Sequence, residues 1–171
     1  MPSIIIRSGG QTGVDRAALD VAIGLRLAYC GWCPKGGRAE DQPLPPGILG
    51  RYHRLVETPS VESSQRTAWN VRDSHATLVL APGPDISKFN GTQFTKSCAD
   101  LFYLKPCLVA DVGNSAGPTA VKSWLTKLFL VHPAIESFVL NIAGPRESES
   151  PGVYEAANWF LRELAMSASR E

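Results

Sequence analysis

A short apolar run, Ile4-Ile5-Ile6, breaks into Ser8-Gly9-Gly10-Gln11-Thr12-Gly13 and passes straight into a helical pattern. Val14, Ala17, Ala18, Val21, Ala22 and Leu25 recur at the i, i+3, i+4, i+7, i+8, i+11 spacing of one buried helix face. The N-terminal segment therefore reads as strand, glycine turn, helix. Two consecutive glycines let the backbone come close to a ligand and accept positive φ, and Gly13 opens a helix whose first N–H groups lack partners. Those donors and the positive end of the helix dipole favour an anion. The motif is neither common glycine fingerprint: no third glycine completes G-x-G-x-x-G, and no Lys-Ser or Lys-Thr follows as in a Walker loop. On its residues alone it is either a phosphate seat, in which a side chain at Gly10 would fill the ligand's space, or a turn that merely reverses the chain.

The same alternation continues. Strand-like runs lie near Leu27 to Gly31, His53 to Glu57, Thr77 to Leu80, Cys107 to Ala110 and Phe138 to Ile142. Between them fall a helix starting at Thr58-Pro59-Ser60, one with Phe94, Cys98, Leu101 and Phe102 on one face, one built on Val121, Trp124, Leu125 and Leu128, and a closing helix marked by Val153, Ala157, Phe160, Leu161 and Leu164. Cys33 to Gly50 is too broken by Pro and Gly for regular structure. Strands alternating with helices imply right-handed βαβ crossovers. The expected fold is an α/β, Rossmann-like three-layer sandwich with a mostly parallel sheet, one domain spanning residues 1–171. Seventeen basic against sixteen acidic residues leave a net charge of +1, so no global field draws the chain to nucleic acid or an anionic membrane. With no run of the roughly 20 apolar residues a membrane span needs, a soluble, cytoplasmic protein is expected, and four cysteines suit a reducing compartment.

Ligands of open α/β sheets bind beyond the carboxyl ends of the strands. Three polar turns leave strands there: Ser8 to Gly13, Gly83 to Gly91-Thr92, and Gly144-Pro145-Arg146-Glu147-Ser148. Arg146 can hold an oxyanion in a bidentate fork. In the loop after the second strand, Lys35 and Arg38 lean toward contact with an anion, with Glu40 and Asp41 beside them either capping the site or forming a solvated hairpin. Asn70 and Arg72 reach either the ligand or a partner subunit. Cys30-Gly31-Trp32-Cys33 has redox spacing but leads into a loop, not a helix, so the pair reads as one small buried residue and one loop cysteine, with a soft Cys33 thiolate approaching a metal as the alternative. No catalytic pair and no metal-ligand spacing is expected, His53, His75 and His132 being scattered.

Four blocks, from Ser8 to Asp20, from Gly31 to Asp41, from Thr67 to Ser74 and from Asn141 to Ser148, resemble the molybdenum carrier family over nearly the whole chain. The resemblance implies kinship with the LOG phosphoribohydrolases and the DNA-processing protein DprA. It also implies a homo-oligomer, dimer or tetramer, that binds and stores molybdenum cofactor (molybdopterin), a phosphate-bearing pterin, without catalysing a reaction, for delivery to molybdenum enzymes. Its seat would be made by Ser8, Gly9, Gly10, Gln11, Thr12, Gly13, Gly91, Thr92, Gly144, Arg146, Glu147 and Ser148. The LOG motif P-G-G-x-G-T-x-x-E places its catalytic glutamate where this chain has Thr95, and a hydroxyl cannot act as that carboxylate base. Asp85 and Glu147 are the other acids near these turns. The alternative is a nucleotide-binding or nucleotide-processing protein of the LOG-like superfamily.

Overall fold

The computed structural model describes residues 2–168. Six strands and five helices follow as β1 (Ser3–Arg7), α1 (Val14–Gly24), β2 (Ala28–Cys33), β3 (Leu55–Glu57), α2 (Ser63–Arg72), β4 (Ala76–Ala81), α3 (Asn90–Ser97), β5 (Cys107–Asp111), α4 (Gly117–Val131), β6 (Ser137–Ala143) and α5 (Val153–Ala168). The strands form one sheet in the order β3-β2-β1-β6-β4-β5, and every pairing is parallel. The fold is Rossmann-like, its sheet parallel throughout rather than mostly so. Right-handed crossovers then assign the layers: α1, α4 and α5 cover one face, α2 and α3 the other.

All six residues of β4 are buried, as a strand covered on both faces requires. Leu78 and Leu80 point into the main core with Val14, Ala17, Val121, Leu140 and Phe160, while Val79 and Ala81 pack on Ile86 and Phe89 behind the sheet. The last strand, β6, is wedged between β1 and β4, with Ile5 opposite Val139 and Leu78 opposite Ile142. That insertion brings the three glycine turns side by side on the carboxyl rim. The turns after β1 and β6 lead to one face and the turn after β4 leads to the other, so the winding reverses between β6 and β4.

Three local expectations change. β2 runs on to Cys33, and Thr58, expected to start a helix, instead donates its amide to the Cys33 carbonyl at 2.8 Å and extends the β2–β3 pairing, so α2 begins only at Ser63. The stretch after Cys33 contains two short 3-10 turns, Lys35–Gly37 and Gly47–Gly50. Past α3 the chain widens into a π-type turn over Cys98–Phe102, closed by the Tyr103 amide on the Cys98 carbonyl at 2.9 Å. The extra residue in that turn breaks the 3.6 periodicity, and Leu101 and Phe102, expected on the buried face, are 70% and 66% exposed.

Gly13 is the position on which the rim's geometry turns. Its φ of 73° is a conformation L side chains rarely adopt, and a Cβ there would stand 2.3 Å from the Pro145 carbonyl oxygen. Gly13→Ala is expected to cost about 1–3 kcal/mol from the backbone conformation alone. Thermal unfolding should show a melting point lower by several degrees, roughly 2–4 °C per kcal/mol lost.

Candidate functional site

The β1–α1 and β6–α5 turns are bonded to each other. The Val14 amide donates to the Pro145 carbonyl at 3.2 Å and the Glu147 amide to the Thr12 hydroxyl at 3.2 Å. Ser8 is buried, its hydroxyl donating to the Asp15 carbonyl at 3.0 Å. Gly144 lets three backbones close up, since a Cβ there would meet the Leu80 carbonyl at 2.2 Å and the Val14 side chain at 2.6 Å. Gly10 also has positive φ, but its missing Cβ faces Ile48 at 2.4 Å. A side chain at Gly10 therefore disrupts packing rather than occupying ligand space.

Carboxylates crowd these turns. The strap between the two 3-10 turns folds over the rim, and Glu40 at its tip accepts from the Thr12 hydroxyl, from the Ser148 hydroxyl at 2.6 Å and from the Ser148 amide at 3.4 Å. Gln11 ties the strap further, its side-chain oxygen accepting the Thr12 amide at 3.0 Å and the Glu40 amide at 2.9 Å. Asp41 takes both ends of the Arg16 guanidinium at 2.9 and 3.0 Å, and Arg16 donates onward to the Gly10 carbonyl. Glu147 caps α5, accepting from the amides of Gly152 and Tyr154. Partial burial works against the Glu40 charge, yet Ser148, Thr12 and the nearby Arg146 outweigh it and hold its pKa below the ordinary value. Arg16 does the same for Asp41.

Beneath the first turn lies a pair that the sequence pattern did not reveal. Arg66, on the first turns of α2, meets buried Asp15 at 2.9 Å, their side chains 14% and 4% exposed. A Cβ on Gly9 would collide with this guanidinium. Burial pushes the Asp15 carboxyl up, and Arg66 with the Gln11 amide pulls it back. Arg66 Nε and the hydroxyl of Thr92, which is 2% exposed, are buried without a hydrogen-bond partner among the described residues. Nor, among those residues, does any acceptor meet the amides of buried Gly9, Gly10 and Gly13. Buried donors left open are rare in folded proteins and are usually met by water or ligand.

Residues 6–165 carry the signature of the circularly permutated YpsA SLOG family. The chain belongs to that family. It is also similar to a crystal structure named "Putative molybdenum carrier protein" from Syntrophus aciditrophicus SB, with 37% identity over 95% of this chain and 94% of that one, and a TM-score of 0.77. No curated protein sequence matches it. The topology fits the word permutated: with β6 and α5 placed ahead of β1, the sheet would become an ordinary doubly wound array whose first strand, now β6, borders the reversal of winding.

Within this SLOG domain the remaining expected residues scatter. Gly91 is exposed in the first turn of α3, and Thr92 follows it. Arg146 is exposed, its amide on Glu149 at 3.0 Å and its side chain 4.0 Å from the same carboxylate. Lys35 is exposed at the start of the first 3-10 turn, and Arg38, on the strap, donates to the Pro43 carbonyl at 3.0 Å. Asn70 and Arg72 belong to another cluster. Where β1 ends and leaves β2 unpaired, the Asn70 amide accepts from the Trp32 N–H at 2.8 Å and donates to the Trp32 carbonyl at 2.9 Å, standing in for a strand. Arg72 forks onto Asp73 and stacks 4.6 Å from the Trp69 ring. Both are spent on structure, because a helix end and an interrupted strand each leave polar groups to be met.

Cys33 is the small buried residue of the pair rather than a thiolate open to a metal. It is the last residue of β2, fully buried, donating to the Val56 carbonyl at 3.6 Å, and burial pushes its pKa up to about 11. Burial likewise pushes Cys107 up to about 11. Among the described residues no group of three His, Cys, Asp or Glu is arranged to hold a metal ion, and no helix is long and apolar enough to cross a membrane. Thr95 is buried and donates its hydroxyl to the Gly91 carbonyl at 3.0 Å.

Two measurements test this electrostatic picture. Arg66→Met leaves the Asp15 charge buried alone and is expected to cost about 3–5 kcal/mol in denaturant unfolding, with most of it recovered when Asp15→Asn is added. Glu40 and Asp41 have folded pKa values below their unfolded ones, so their latch stabilises above the carboxylate range and is lost as pH falls through it. Asp15 is raised and so has the opposite sign: acid relieves its burial. Amide exchange in the strap, corrected for intrinsic rates, should therefore accelerate below about pH 4 while the core stays protected.

Proposed function

We propose that this SLOG-family protein binds a small phosphate-bearing ligand at the carboxyl rim and that the ligand is molybdenum cofactor, held as cargo rather than as a reagent. The observation that carries the reading is the convergence of the Thr12 and Ser148 hydroxyls on a single carboxylate, that of Glu40, whose charge Arg146 also favours. Residues from two separate turns thus form a seat that already holds an anion. The open amides of Gly9, Gly10 and Gly13 in the same first turn, and the orphan donors of Arg66 beneath it and Thr92 after β4, are further candidate partners for phosphate oxygens. Turns of this kind recognise the phosphate only. The metal comes from the likeness to the Syntrophus protein, named a molybdenum carrier, and the pterin from the family resemblance alone.

Carriage rather than chemistry is favoured by what the nearby acids do. Thr95 stands where a phosphoribohydrolase glutamate would be, Glu147 is consumed in capping α5, and Asp85 accepts the Ser87 amide at 2.8 Å in an exposed turn. None is poised against a sugar. A nucleotide is the second reading, since its phosphate would use the same donors. A soluble homo-oligomer that hands its cargo to molybdenum enzymes completes the proposal.

Mass spectrometry of gently purified protein should find a retained pterin phosphate; a retained nucleotide would decide for the second reading. In titrations with molybdenum cofactor and with AMP, Arg146→Ala is expected to weaken the preferred ligand about tenfold, the loss of one partly solvated charge-assisted bond. Unchanged affinity would place the ligand elsewhere on the rim.

A further inference from the structure

We infer that Glu40 is a built-in competitor for the anion seat, so that a phosphate-bearing ligand settles by expelling its carboxylate and lifting the tip of the strap. The inference rests on the reading of the rim as a phosphate site. Carboxylate and phosphate oxygens ask for the same partners, N–H and O–H donors near a positive charge. Glu40 has them: one oxygen on the Ser148 hydroxyl, the other on the Thr12 hydroxyl and the Ser148 amide, with Arg146 close by. Thr12 and Ser148 belong to turns that follow different strands, so the seat exists before the strap arrives. The bond between the Glu147 amide and the Thr12 hydroxyl holds it together without Glu40.

The strap is built to part from the rim at its tip and stay anchored at its stem. Ala39 and Gln42 exchange two backbone hydrogen bonds of 3.1 Å, which turns the chain back on itself and puts Glu40 and Asp41 at the bend. Ala39 is buried with Leu19, Cys33, Ile48, Tyr52 and Leu55, an apolar anchor below the bend. Beyond it only polar contacts hold the tip, and Glu40, Asp41 and Ser148 are all exposed. Releasing Glu40 therefore uncovers no core, and Arg16 can keep its grip on Asp41 while Glu40 swings out. A tethered occupant lowers apparent affinity by the fraction of time it leaves the seat open. Its negative charge would also repel an incoming phosphate.

Calorimetric titration of the full chain with inorganic phosphate tests the inference. Glu40→Gln keeps an acceptor of the same shape but removes the charge, and Glu40→Ala removes the occupant. Both should bind phosphate about tenfold more tightly than the unmodified chain, in which phosphate should also speed amide exchange across residues 39–42. Equal or weaker binding by both variants, or exchange indifferent to phosphate, would make Glu40 a plain latch and overturn the competitor while leaving the seat intact. Absence of phosphate binding in all three proteins would overturn the seat and the competitor together.

Discussion

Two backbone turns that touch make the rim of this protein possible. The Val14 amide reaches the Pro145 carbonyl at 3.2 Å only because Gly13 has no side chain to stand between them, and Gly144 allows the Leu80 carbonyl to close on the same spot. The contact needs β1 and β6 to be parallel neighbours, which brings the N-termini of α1 and α5 together on one face. Two helix dipoles then point their positive ends at nearly one place. The third turn, after β4, leads to the opposite face of the sheet.

Part of this concentration of donors is met from within the chain. Asp15 lies under the first turn on Arg66, Glu147 caps α5, and Glu40 comes from a distant strap to take Thr12 and Ser148. Glu147 meets amides that the start of α5 leaves open, Asp15 meets a guanidinium, and Glu40 meets two hydroxyls and a loop amide. They differ in how firmly they are held. Asp15 is buried and ion-paired, Glu147 lies within the loop it caps, and Glu40 is exposed at the end of a bend. Only the last can leave without disturbing the core.

The order of strands and helices was legible in the sequence because apolar periodicity is strong in segments such as Val14 to Leu25 and in the fully buried β4. Placement of the three turns on one rim followed from the parallel sheet. The π-type turn at Cys98–Phe102 was not legible, since one inserted residue shifts the face without altering the apolar content. Asn70 and Arg72 looked like ligand contacts because a polar side chain gives no sign of its partner; a gap in the β2 pairing claims one and Asp73 the other. Arg66 is illegible for the same reason, as nothing local marks a helix arginine destined for a buried aspartate in the first turn of α1. From the sequence, Glu40 is either a cap over the site or part of a solvated hairpin. The fold unites the two, an exposed bend that reaches back onto the seat.

The division of labour among the acids bears on whether this rim reacts or holds. A carboxylate that works as a general base must be free to take a proton from a reacting group within hydrogen-bond reach. Glu147 has its oxygens on the amides of Gly152 and Tyr154, Asp15 has its own on Arg66, and Glu40 is held below its ordinary pKa by hydroxyl donors and Arg146. Each is therefore kept ionised or spent on structure, and the position that could have offered a further acid is Thr95, turned back onto its own helix. A site of hydroxyls, amides and arginine can grip an oxyanion through many equivalent bonds and let it go as a unit. Such a grip suits the proposed carriage, and the exposed Glu40 carboxylate on its bend is the proposed means of emptying the seat.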